Sequence, residues 1–169
     1  LLGSPALADE AMAIVLAALN RPRDANELRG AVLDMRVKIA AEHSTGLKHA
    51  PGGLVDIDFV VQYAMLRAGI ADGTTGTRQL IRRLASAAAV GEAEAEALLG
   101  ALILMQNLGQ VFAIAGGLED LAAAPTVLQR ILLRAGEAPD IGFLAADLAE
   151  RQAAVRALLE QEIGLLSAV

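Results

Sequence analysis

Apolar residues recur at intervals of three and four along most of this chain, the spacing that gathers side chains on one face of an α-helix. Leu28, Val32, Met35 and Ile39 form one such stripe. The pattern predicts an all-α fold, a helical bundle of about seven helices. Their predicted starts, each at a residue typical of a helix N-terminus, are Ser4, Asp24, Asp56, Thr77, Gly91, Pro125 and Asp140, and the last helix is predicted to end near Leu166.

A break in the pattern separates the second and third predicted helices. Residues 42–54 contain Gly46, Pro51, Gly52 and Gly53, so we predict a loop there. From Asp56 onward the helical spacing resumes with apolar residues on most sides, which is typical of a helix in the centre of a bundle.

The most apolar stretch, "ALLGALILMQNLGQVFAIAGG" at residues 97–117, has the length of a membrane span. Gln106, Asn107 and Gln110 near its middle would be costly to place in hydrocarbon. We therefore predict a buried helix of the bundle and no association with a membrane.

Composition narrows the class of protein further. The 169 residues suffice for one domain with a real core, and with 2% aromatic residues that core must be built from Leu, Ala, Val and Ile. The absence of cysteine excludes disulfides and thiolate metal sites. A net charge of −6 with so few aromatic rings argues against a nucleic-acid surface.

His43 and His49 are the only histidines, and without a third partner they are weak evidence for a metal site. Neither lies in a context that pairs it with an activated serine, so we assign no catalytic residue and no metal ligand. Because the chain starts at Leu1 without a methionine, we expect a fragment of a larger protein that folds as a single helical domain over residues 1–169.

The loop before the third helix has the components of a phosphate-binding corner. Gly52 and Gly53 permit close approach of a ligand to backbone amides, a helix N-terminus follows, and Lys48 adds a cation. The alternative is a turn that only starts a helix.

Two carboxylates follow the glycines. We predict that Asp56 caps the helix. Asp58 and Gln62, one turn apart, then draw a polar line that should face a loop, a cation such as Arg36, or a neighbouring domain.

The segment "MRVKIAAEH…LKHAPGGLVDIDFVVQYAMLR", residues 35–67, closely resembles the region after the catalytic domain in bifunctional glutamine synthetase adenylyltransferases. There a Lys-x-x-x-Gly-Gly-x-x-Asp-Ile-(Glu/Asp)-Phe-x-x-Gln pattern opens a helical domain. A related sequence pattern occurs in the uridylyltransferases that modify the PII signal protein. The flanking segments resemble the C-terminal end of the adenylyltransferase family, so the resemblance covers nearly the whole chain.

The resemblance implies a large cytoplasmic enzyme with two nucleotidyltransferase halves, each followed by a helical bundle. Such enzymes attach AMP to a tyrosine of glutamine synthetase and remove it, and the second half performs the attachment with ATP and Mg²⁺. Val55 stands where the first half tends to have arginine, which assigns this chain to the second half. Asp58 replaces the commoner glutamate, so its carboxylate reaches one methylene less far.

The resemblance also implies which residues matter. With this family in view, we predict that Lys48 and the amides of Gly52 and Gly53 form the rear wall of the active cleft, near the nucleotide. Behind them, Asp56 would cap the helix and Asp58 would order Arg36 or Gln62. The implied partners are glutamine synthetase, the PII signal protein and the nucleotidyltransferase domain of the same chain. That domain's Gly-Ser-x-x-Asp-x-Asp metal motif is missing here, so the fragment alone is expected to be inactive.

Two other functions compete with this one. The segment could be a non-catalytic interaction module that docks glutamine synthetase or PII, with a purely architectural glycine loop. A free-standing ligand-binding protein would need a large pocket with converging polar groups, and the sequence offers no such cluster outside the loop.

Overall fold

The computed structural model describes residues 4–73, 76–117 and 120–164. The described residues contain seven longer helices, one short helical turn and no strand, so the predicted all-α bundle is confirmed. The helices are α1 Pro5–Leu19, α2 Ala25–Glu42, α3 Gly46–His49, α4 Leu54–Ala68, α5 Thr77–Ser86, α6 Glu92–Ile114, α7 Thr126–Ala135 and α8 Ile141–Ile163. The predicted end of the last helix at Leu166 lies outside the described residues.

Side chains that accept backbone hydrogen bonds define several of the helix starts. Asp24 accepts from the amides of Asn26 and Glu27, both at 2.9 Å, as its capping position predicts. Asp140 caps α8 through the amide of Phe143 at 2.8 Å. These caps satisfy amides that have no partner inside the helix, so the sequence fixes these starts locally.

The core lies where α4, α6 and α8 meet, with α2, α5 and α7 packed around them. Helix α4 turns Ile57, Val60, Val61 and Ala64 inward, which confirms its predicted central position. Tyr63, the only tyrosine of the chain, is also buried on α4, and the guanidinium carbon of Arg67 lies 5.4 Å from its ring centroid. Aliphatic side chains fill most of the core, as the composition predicts.

By length and composition, α6 is the one helix in the described part of the chain that could cross a membrane. In the structure it packs against α4, α5, α7 and α8 instead. Its buried side chains are Ala95, Leu98, Ala101, Leu102, Leu104, Met105, Leu108 and Phe112. These contacts agree with the predicted role of residues 97–117 as a helix of the core.

Helix α1 is attached more loosely than the others. None of its residues is buried, and Leu7, Met12, Ile14 and Val15 are exposed. Its C-terminal end is held by Asn20, whose side-chain amide exchanges two hydrogen bonds with the backbone of Ala71, at 2.8 and 2.7 Å. A cavity of about 310 Å³ separates α1 from α4 and α5.

The region between α2 and α4 differs from the prediction in two ways. Residues 46–49 form the single turn α3 inside the predicted loop. Helix α4 begins at Leu54 with Gly53 as its N-cap, so the prediction that Asp56 caps this helix is wrong. The helix starts earlier because a carboxylate in the first turn, and not only at the cap, can satisfy amides at a helix N-terminus.

Candidate functional site

A buried ion pair connects α2 to α4. Nε of Arg36 donates a hydrogen bond to Oδ1 of Asp56, and the two side chains are 2% and 0% exposed. The second carboxylate oxygen of Asp56 accepts the amide N–H of Gly52 at 2.6 Å. One aspartate therefore joins the second helix, the fourth helix and the loop that precedes the fourth helix.

The position of Asp56 in the first turn of α4 explains this double role. A carboxylate there is favoured by the positive end of the helix, and it points back toward the amides that precede the helix. Gly53 has no side chain with which to cap α4. The carboxylate of Asp56 instead accepts a hydrogen bond from the amide of Gly52, the residue before the N-cap.

Gly52 and Gly53 are both buried, and packing within the chain requires both glycines. Gly52 has φ +77°, and a Cβ atom on it would overlap the backbone carbonyl group of Gln152 in α8. A Cβ atom on Gly53 would lie 2.7 Å from the carbonyl oxygen of Leu47 and 2.8 Å from that of Ala50. The loop is therefore pressed between α3 and α8.

The amides of these glycines have acceptors inside the chain. Gly52 donates to Asp56, and Gly53 donates to the carbonyl oxygen of Ala50 at 2.8 Å. The prediction that these two amides form a phosphate-binding corner is wrong, because both glycines are buried and each amide already donates a hydrogen bond within the chain.

Lys48 lies on the opposite side of the same corner. Leu47 is buried in the core, whereas its neighbour Lys48 is exposed. On the other side of Lys48, the carbonyl oxygen of His49 accepts a hydrogen bond from Nη2 of Arg36 at 3.5 Å. Within the described residues, no carboxylate lies at ion-pair distance from the ammonium group of Lys48. Lys48 is therefore an exposed cation on a turn whose backbone is anchored by the buried Arg36.

Lys48 lines a depression of about 170 Å³ together with residues of three other helices. The other lining residues are Leu54, Val55, Asp58, Thr77, Leu102 and Gln106. An ammonium, a carboxylate, a hydroxyl and a side-chain amide therefore share one small surface site. Such a set can bind a polar group by charge and hydrogen bonding.

Asp58 borders both this depression and the cavity under α1, and it does not contact the buried ion pair. Its Oδ1 accepts a hydrogen bond from the hydroxyl of Thr77 at 3.0 Å. The prediction that Asp58 orders Arg36 or Gln62 is wrong for the described residues, because Arg36 is bound by Asp56 and the carboxylate of Asp58 binds α5. Gln62 is exposed and lines the cavity under α1.

The histidines add little to this site. His43 is exposed at the end of α2, and its ring centroid lies 4.9 Å from that of His49. In the ranges 4–73, 76–117 and 120–164, no group of three His, Cys, Asp or Glu side chains is placed to hold a metal ion.

Three contributors to the site were not predicted from the sequence: Thr77, Gln106 and the backbone of Gln152. Each lies on a helix distant in sequence from the glycine loop. No local pattern identifies them, since their proximity depends on how α5, α6 and α8 pack against α4.

Comparison with known proteins agrees with the resemblance of residues 35–67. The chain is 42% identical, over 156 residues and 88% of its length, to the bifunctional glutamine synthetase adenylyltransferase/adenylyl-removing enzyme of Xanthobacter autotrophicus. It is 37% identical over 161 residues to the protein of the same name from Rhodopseudomonas palustris strain HaA2, and 35% identical over 171 residues to that of strain BisB5. No family model matches the chain.

These relatives are much longer than the chain. The matched region covers 16% of the proteins from Xanthobacter autotrophicus and Rhodopseudomonas palustris HaA2, and 17% of the protein from strain BisB5. The similarity therefore concerns one segment of each relative.

Proposed function

Because the chain belongs, as one segment, to the family of bifunctional glutamine synthetase adenylyltransferase/adenylyl-removing enzymes, we propose that it is the helical domain that follows the nucleotidyltransferase domain in the adenylyltransferase half. The intact enzyme would transfer AMP from ATP to a tyrosine of glutamine synthetase in the cytoplasm and so regulate nitrogen assimilation.

In this proposal the helical domain forms a wall of the catalytic cleft. ATP and Mg²⁺ would be held mainly by the nucleotidyltransferase domain, where strand-borne aspartates suit metal-assisted displacement. The described residues of this segment contain neither a strand nor a three-residue metal cluster, so the segment alone should not transfer AMP. Its contribution would be to exclude water and to supply one cation.

The observation that supports this role is the position of Lys48. The lysine is exposed at the edge of a polar depression, on a turn that a buried ion pair holds in place. Because the backbone that carries Lys48 is held in this way, its ammonium group stays within reach of the depression, where it can make a charge-assisted contact with a phosphate oxygen.

Replacement of Lys48 in the intact enzyme tests the proposal. Lys48→Ala should lower kcat/KM for adenylyl transfer by about tenfold or more, since a charge-assisted contact contributes about 1.5–3 kcal/mol. Lys48→Arg, which retains a positive charge, should keep more of the activity. Lys38→Ala is the matched control, because Lys38 is the chain's only other lysine and is exposed on α2. Unchanged kcat/KM in Lys48→Ala would remove the lysine from the cleft.

A second candidate function rests on a different surface. The exposed apolar side chains of α1, including Leu7 and Ile14, are typical of a face that docks another protein. If the segment is an interaction module for glutamine synthetase or PII, Leu7→Gln/Ile14→Gln should weaken binding of that partner, and Lys48→Ala should leave kcat unchanged. The two candidate functions therefore predict different results. A wall of the cleft predicts a loss of kcat/KM in Lys48→Ala, whereas a docking module predicts weaker partner binding in Leu7→Gln/Ile14→Gln and an unchanged kcat in Lys48→Ala.

A further inference from the structure

We propose that Arg36 and Asp56 are positioning residues that act on adenylyl transfer through Lys48. This inference rests on the proposed function, since it requires Lys48 to contact the substrate. Neither side chain of the pair is exposed enough to touch a ligand, so any effect on the reaction must pass through the residues that they hold.

The pair fixes the backbone after Lys48 at two points. Nη2 of Arg36 donates to the carbonyl oxygen of His49 at 3.5 Å, where α3 ends. Oδ2 of Asp56 accepts the amide of Gly52 at 2.6 Å, just before α4 begins. The ion pair itself joins the two anchors, so residues 49–52 are held at both ends by one charged unit.

Helix α3 needs such anchors because it has four residues. A single helical turn is not stable in water by itself, and its position depends on outside contacts. Leu47 supplies one contact by packing in the core. The hydrogen bond to the carbonyl of His49 supplies the other on the far side of Lys48, so the backbone of Lys48 is held through both of its neighbours.

A purely stabilising role would not require charges at this place. Apolar side chains of similar size can replace a buried ion pair with little loss of stability, whereas they cannot reproduce its directional hydrogen bonds. The particular contribution of Arg36 and Asp56 is therefore the geometry of residues 49–52, and through it the backbone position from which the side chain of Lys48 extends.

The test replaces both partners in the intact enzyme, because removal of one partner alone would leave a buried charge. Arg36→Met/Asp56→Leu removes both anchors. Arg36→Met/Asp56→Asn keeps a side-chain acceptor for the amide of Gly52 and serves if the first variant does not fold. The control is Arg67→Gln/Glu162→Gln, which removes an ion pair between the other end of α4 and α8.

Each variant is measured in two ways. The first is kcat/KM for adenylyl transfer, determined with and without the additional substitution Lys48→Ala. The second is hydrogen exchange of the amides of residues 47–53. Removing the pair should lower kcat/KM about tenfold, as Lys48→Ala does, and adding Lys48→Ala should lower it no further. Exchange should accelerate in residues 47–53 but not in α6 and α8, and the control should change neither readout.

Each contrary result overturns the inference in an identifiable way. Losses that multiply would show that the pair acts independently of Lys48. Full activity despite faster exchange, or unchanged exchange despite lost activity, would show that the geometry of this segment does not matter. Full activity in Lys48→Ala alone would overturn the proposed function, and this inference with it.

Discussion

Gly52 lies directly beneath the backbone of Gln152, with no room between them for a Cβ atom. The loop before α4 and the middle of α8 are thereby in contact through main-chain atoms. Such contact excludes side-chain adjustment as a way to relieve crowding, so the glycine is required by the packing of the bundle and by its own φ of +77°.

Gly52→Ala should therefore destabilise the chain severely. A non-glycine residue at this φ is strained, and the overlap with Gln152 adds to that strain, so we expect a loss of at least about 3 kcal/mol in the free energy of unfolding. Chemical denaturation measures this quantity.

Gly116→Ala is the matched control for that substitution. Gly116 has φ +83°, but a Cβ atom there would meet no heavy atom within 4 Å. We expect a loss of about 1 kcal/mol, from backbone strain alone. Equal losses at the two glycines would show that the contact with α8 is not tight.

Two positions in the C-terminal half of α6 should respond differently when their side chains are shortened. Leu108 is fully buried, and Leu108→Ala should cost about 3 kcal/mol because it leaves a cavity in the core. Ile114 is 89% exposed, and Ile114→Ala should change stability by no more than about 0.5 kcal/mol. Thermal unfolding compares the two variants. Similar effects would contradict the role of α6 as a helix of this core.

Asn20→Ala should release α1 without unfolding the bundle. The substitution removes both hydrogen bonds to Ala71, at a cost of about 1–2 kcal/mol. Because α1 buries no residue, the loss should appear as faster hydrogen exchange and protease cleavage in α1, while α4 and α6 stay protected. Asn26→Ala, at an exposed position of α2, should have neither effect. Loss of protection throughout the chain would show that α1 is part of the cooperative core.

Gly30→Ala should stabilise the chain. Gly30 lies inside α2 and is exposed, with no heavy atom within 4 Å of a Cβ atom placed there. Alanine lowers the conformational entropy of the unfolded chain, so we expect a gain of about 0.5–1 kcal/mol in the free energy of unfolding. Gly100→Ala in α6 is the comparison, because its Cβ atom would overlap the guanidinium of Arg151, which must then move away from Asp147, so the gain should be smaller. Denaturant midpoints separate the two outcomes.

The helices were predictable because their signals are local. Stripes of apolar residues and capping side chains such as Asp24 depend on neighbours within one or two turns. The N-cap of α4 was placed three residues late, at Asp56 and not at Gly53, because Asp56 is a plausible cap and an equally plausible first-turn residue. Only the position of the loop, which Gly52 and α8 determine together, separates the two interpretations.

The site was less predictable because its contacts are between distant segments. Sequence spacing brought Arg36, Asp56 and Asp58 into consideration but gave no basis for pairing them correctly. The structure pairs Arg36 with Asp56 and Asp58 with Thr77. Whether a glycine amide is free for a ligand is also not a local property, since the acceptor of the Gly52 amide is supplied by the following helix.

The burial of Tyr63 has a consequence for the chemistry proposed for the intact enzyme. An activity that modifies phenolic hydroxyl groups risks labelling its own surface. This segment carries a single tyrosine, and the core of the bundle shields it to 1% exposure. The folded segment therefore offers no self-modification target to a neighbouring active centre, and its phenol would become an acceptor only on unfolding.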